Sequence, residues 1–127
     1  MMRGICLISA GHDGGQNLAG LFRACCLEVW TPQSVEDARI YGAALCLVID
    51  MAGDAGYRTL RLFREYGITT PALLIVDPGC EVAISQLNYG NVMDVIPRDA
   101  NPLRIMRWIQ SMIAARSVLD QAQRLSA

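Results

Sequence analysis

The fold turns on the stretch Ala44-Leu45-Cys46-Leu47-Val48-Ile49-Asp50. Its apolar run has no polar alternation, which describes a strand buried on both faces, as in a parallel sheet covered by helices on either side. An acid that closes such a run arrives at the carboxyl edge of the sheet, where it has to be solvated, paired or reactive. Asp50 is therefore the first candidate site residue.

Outward from this strand, strand-like and helix-like runs alternate. On the amino-terminal side, Gly4 to Ser9 reads as the first strand. The loop Gly11-His12-Asp13-Gly14-Gly15 follows, and then an amphipathic helix from Asn17 to Cys26 with Leu18, Leu21 and Phe22 on one face. Leu27 to Trp30 makes a short second strand, and Ser34 with Asp37 forms a capping box that opens a second helix to about Tyr41.

On the carboxyl-terminal side, the loop from Met51 to Gly56 leads into a helix from about Tyr57 to Tyr66, with Gly67 as its left-handed stop. Pro71 to Val76 is the fourth strand, Asp77-Pro78-Gly79 a turn, Glu81 to Tyr89 a fourth helix stopped by Gly90, and Val92 to Ile96 the fifth strand. Asn101 caps the last helix and Pro102 begins it, because a missing amide costs nothing at the first helical position.

This order predicts an α/β, flavodoxin-like (βα)5 fold: a doubly wound parallel sheet with strand order 2-1-3-4-5. In such sheets the chemistry sits at the carboxyl ends of the strands, where Ser9, Asp50, Val76 and Arg98 fall. The last helix continues past what the sheet can cover. Val118, Ala122 and Leu125 prolong its apolar stripe, so residues from about 115 to 127 read as a helical extension that docks elsewhere, pairs with another copy, or links to an output domain.

Composition narrows the function classes. The 127 residues suit one domain, and a formal charge of -1 supplies no basic field for nucleic acid. No apolar run spans a bilayer, and the start lacks the stretch of a secretory signal, so the expected location is the cytoplasm. The five cysteines (Cys6, Cys25, Cys26, Cys46 and Cys80) show no CxxC spacing and read as reduced thiols, and His12 is the sole histidine. All eleven basic residues are arginine, which excludes any mechanism that needs a lysine ammonium.

Three segments carry a family resemblance: Leu47-Val48-Ile49-Asp50-Met51; Gly67-Ile68-Thr69-Thr70-Pro71-Ala72-Leu73-Leu74-Ile75; and Asp94-Val95-Ile96-Pro97-Arg98. Over essentially its whole length the chain resembles the receiver domain of two-component response regulators. By that resemblance Asp50 matches the aspartate that accepts phosphate from a histidine kinase. The family's two magnesium-holding acids after the first strand are matched by Ser9 and Ala10, its phosphate-pairing lysine by Arg98, its switch hydroxyl by Val76 and its mobile aromatic by Val95. The likeness is thus to an atypical or pseudo-receiver: a regulatory and interaction module, not an enzyme. It carries no cofactor, and the one weak candidate metal ligand is Asp50.

The resemblance further implies a homodimer through helix 4, strand 5 and helix 5. Glu81, Asp94, Arg104, Arg107 and Trp108 would supply contacts there, and an output domain such as a transcription activator would be fused beyond. A second reading keeps phosphorylation of Asp50 by a histidine kinase, with magnesium, Ser9 acting through water, Arg98 replacing lysine, and Asp54 or Asp77 as the missing acid. A third reading is ligand binding at the same edge, with Gly11 to Gly15 as a phosphate cradle. That segment lacks GxGxxG and a P-loop lysine and reads more simply as a loop.

Overall fold

A computed structural model describes residues 4–9, 14–40, 44–87 and 90–126. The strands are β1 (Gly4–Ser9), β2 (Glu28–Trp30), β3 (Cys46–Asp50), β4 (Ala72–Val76) and β5 (Val92–Pro97). They form one parallel sheet in the order β2-β1-β3-β4-β5. The flavodoxin-like α/β topology expected from the sequence is the one observed. Its helices are α1 (Gly14–Ala24), α2 (Val35–Ile40), α3 (Ala55–Glu65) and α4 (Pro102–Ser126).

Every residue of β3 and β4 is buried, as an uninterrupted apolar run demands. Alternate side chains enter opposite layers. Ile5, Leu7, Val48, Leu73, Ile75 and Ile96 pack with α1 and α4. Cys6, Leu47, Ile49, Leu74, Val76 and Val95 pack on the other face with α2 and α3. The register pairs Ser9 with Asp50, Asp50 with Ile75, and Val76 with Pro97, so the carboxyl ends of β1, β3, β4 and β5 lie at one level.

Local chemistry sets the helix ends. The Asp37 amide donates to Ser34 Oγ at 3.0 Å, and the Asp37 carboxylate reaches back to the Gln33 amide at 3.0 Å. Asn101 Oδ1 accepts from the Leu103 amide at 3.0 Å. Helix α1 stops at Ala24, short of the expected Cys26. The Leu27 amide closes back on the Phe22 carbonyl and the Cys26 amide on the Arg23 carbonyl, with Cys26 in the left-handed region at φ 62°.

The expected fourth helix is corrected. Over its described residues, 81–87, the segment forms only a 3-10 turn at Ile84–Gln86, and Asn88 and Tyr89 lie outside the described residues. Its would-be first turn is engaged elsewhere. The Val82 amide donates to the Tyr57 hydroxyl, Glu81 accepts from the Gly79 amide, and Ala83 and Leu87 are extended. Helix nucleation is costly, and a short segment whose first turn is already engaged elsewhere does not repay it.

Helix α4 confirms the extended C-terminal helix. Its 25 residues span about 37 Å, against about 20 Å for the six residues of β5. Ile105, Met106 and Ile109 are buried under its first turns, whereas Val118, Leu119 and Leu125 are exposed farther on. Among the described residues no helix is long and apolar enough to cross a membrane.

Candidate functional site

At the carboxyl edge, Asp50 is 2% exposed and faces Arg98, the first residue after β5. The Arg98 backbone amide donates to the Val76 carbonyl at 2.7 Å, which holds the arginine beside the end of β4. Its guanidinium donates from Nε (3.1 Å) and Nη2 (2.7 Å) to Asp50 Oδ1, and from Nη1 to Asp77 Oδ1. Asp77 Oδ2 in turn accepts from the Gly53 amide at 2.8 Å. One guanidinium thus ties together the ends of β3, β4 and β5, and Asp77 ties in the loop before α3.

Burial works against the charge of Arg98. The hydrogen bonds and negative charges of Asp50, and then of Asp77, more than offset it and hold the guanidinium pKa above its ordinary value. The Tyr57 hydroxyl, on the first turns of α3, adds a second tie. It donates to the Cys80 carbonyl at 2.8 Å and accepts from the Val82 amide at 3.0 Å.

Ser9 lies in register with Asp50, and its Oγ is buried without a hydrogen-bond partner among the described residues. Ala10, His12 and Asp13 lie outside the described residues. Val76 and Val95 are both buried in the apolar layer shared with α3, so no hydroxyl or aromatic ring stands at either position. Magnesium takes a cage of about six oxygens. Among the described residues no three acidic, histidine or cysteine side chains gather, and the cation facing Asp50 is a guanidinium. The donor set of the described residues does not make a cage for a hard dication.

A second polar cluster joins the edge strand β5 to α4. Asp94 Oδ2 accepts from Trp108 Nε1 at 2.8 Å and from Arg104 Nη2 at 3.1 Å, and Asp94 Oδ1 accepts from the Val95 amide at 2.8 Å. The Trp108 ring is half-buried against the core cluster under α4 while its N–H stays polar-paired. Arg107 is exposed and makes no hydrogen bond or ion pair with the described residues. Arg104, Arg107 and Trp108 share a shallow hollow with Ser111, whereas Glu81 is turned to its own loop.

Sequence reasoning named Asp50, Arg98 and Asp77, and the structure joins all three. It gave no role to Tyr57, whose hydroxyl partners are backbone groups that no side-chain pattern marks. Asp77 carried a readable mark: an acid directly after a buried strand, two residues beyond the level of Asp50.

No family model matches the chain, and no curated protein matches it. Among solved structures it is similar to the constitutive lysine decarboxylase of E. coli, at 12% identity and a TM-score of 0.58, over 88% of this chain and 18% of that one. The chain spans about a fifth of that protein's length. Identity this low shows a shared α/β fold and nothing of activity.

Proposed function

We propose that this chain is a pseudo-receiver: a regulatory, protein-binding module of a bacterial signalling or transcription regulator that works without magnesium-dependent phosphorylation. The observation that carries the reading is the Arg98 guanidinium bridging Asp50 and Asp77. An internal cation supplies one positive charge where a divalent metal would bring two, and it ties the loops around Asp50 together. A phosphoryl group on Asp50 would have to displace Arg98 from its existing pairing with no metal beside it, and aliphatic Val76 and Val95 give it no two-state element to bias.

In this reading the signal passes by docking. The face built from β5 and the first turns of α4 presents Asp94, Arg104, Arg107 and Trp108, residue types that anchor interfaces. Because the expected fourth helix is not formed over residues 81–87, that face differs from the three-element surface the resemblance implies. The module acts in the cytoplasm, beside or fused to an output domain.

The test is intact mass after incubation with acetyl phosphate and magnesium. The chain gains no phosphoryl group while an ordinary receiver does, and Asp50→Asn leaves output in cells unchanged. A stoichiometric adduct lost in Asp50→Asn would establish the phosphate-accepting alternative instead.

A further inference from the structure

The half of α4 that overhangs the sheet carries its own pattern. Ala115, Val118, Ala122 and Leu125 recur at 3-4-3 spacing, the seam of a helix that pairs with another helix. Arg116, Asp120, Gln123 and Arg124 all fall off that seam. Val118 is 64% and Leu125 89% exposed, so within one copy the described residues leave them uncovered. Ala115 also lines a mainly apolar hollow of about 240 Å³ at the amino edge of the sheet, with Leu45, Met93, Met112 and Leu119 beside the polar Asn91 and Arg116.

We propose that this surface joins two copies of the chain, their α4 helices antiparallel about a two-fold axis at residue 120. The sizes along the seam decide the orientation. A parallel pair would set Ala115 on Ala115 and Ala122 on Ala122, leaving two thin layers. The antiparallel pair sets Ala115 against Leu125 of the second copy and Val118 against Ala122, so that every layer joins a small residue to a large one.

Leu125, the most exposed large apolar side chain, then lies over the Ala115 end of the other copy, where the hollow opens. The seam alone is narrow against the roughly 800 Å² per partner of a stable pair. The two hollows, each continuous with one end of the seam, widen the contact and bury the leucines. The antiparallel order also places the two sheets at opposite ends of the helix pair, so the domains do not collide.

This assembly goes beyond the proposed signalling role and leaves the face around Arg107 and Trp108 to another partner. It does not depend on whether Asp50 accepts phosphate, so either claim can fail without the other. Sedimentation equilibrium of the full chain tests it. The wild type self-associates reversibly to a dimer, and Leu125→Ala weakens the association about a hundredfold, because symmetry removes two leucines per dimer. Ala115→Leu alone also weakens it, by overfilling the layer. The swap Ala115→Leu with Leu125→Ala restores it, and the circular dichroism of every variant matches the wild type.

A chain that stays monomeric at all concentrations overturns the proposal. So does a dimer indifferent to Leu125→Ala, or one broken instead by Arg107→Glu. An Ala115→Leu variant that dimerises more tightly overturns the antiparallel order, because alanine would then face alanine.

Discussion

At the carboxyl edge of the sheet, the side chains of Asp50, Arg98 and Asp77 pair with one another, whereas at the amino edge Arg64 and Asn91 bond backbone carbonyls, of Ile68, Thr69, Gly90 and Asn91, and a mainly apolar hollow beside α4 stays open to water. The first end looks like a ligand site, but one guanidinium already pairs with both of its carboxylates and offsets one of their two charges. The second ties its polar side chains to the backbone and presents a mainly apolar surface that an apolar contact would cover. The difference separates two meanings of a site. A carboxylate delivered to the edge of a parallel sheet need not face a ligand, because a neighbouring strand can deliver its counter-charge.

That contrast is broken most directly at Arg98. Arg98→Ala leaves Asp50 buried without its counter-charge, and removing one partner of a buried pair costs about 3–5 kcal/mol. Arg98 keeps a 30% exposed side chain, so the expected loss lies at the lower end, about 3 kcal/mol by urea unfolding. Asp50→Asn added to Arg98→Ala recovers part of it. If Arg98→Ala unfolds at the wild-type midpoint, the guanidinium is no structural tie, and the two ends differ less than their geometry implies.

The same contrast explains what the sequence disclosed. The runs of β3 and β4 are legible because burial on both faces leaves no polar position to misread. Asp50 and Arg98 are legible because strand ends fix their level, and the register does bring them together. The segment from Glu81 misled for a physical reason. Its composition permits a helix, but the Tyr57 hydroxyl takes the Val82 amide, a tertiary contact invisible to local pattern. The overhang of α4 was legible as a stripe, because the 3.6-residue period persists whether or not the sheet is there to cover it.

Alkaline pH reaches the core between the two ends. Burial first, and the charge of Cys6 second, push the Cys46 thiol up to about 12, and burial followed by Asp37 pushes Cys6 up to about 11. Below the ordinary thiol value of 9.0, folded and unfolded chains both hold these protons and stability is full. As pH rises further the unfolded chain releases protons that the folded chain keeps, and stability falls until the folded pKa is passed. Cys46 alone should remove about 2–3 kcal/mol by pH 11. Arg98, held above its ordinary value, keeps its charge through this window, so the loss reports the core and not the carboxyl-edge tie. Urea midpoints against pH should decline less steeply in Cys46→Ala than in the wild type. Parallel curves would place the alkaline sensitivity elsewhere.

The smallest expected effect lies at the other end of the molecule. Leu125 is 89% exposed, so within one copy its side chain already meets water and its loss removes almost no burial. Studied dilute enough to be monomeric, Leu125→Ser should shift unfolding by no more than about 0.5 kcal/mol, the usual range for a surface substitution away from a structural feature. Set beside Arg98→Ala, this gives a severalfold difference between two residues at opposite edges of one sheet. A monomer cost above about 1 kcal/mol would mean that the overhang packs on its own sheet. In that case the amino edge, like the carboxyl edge, would be closed from within, and the contrast between the two ends would fail.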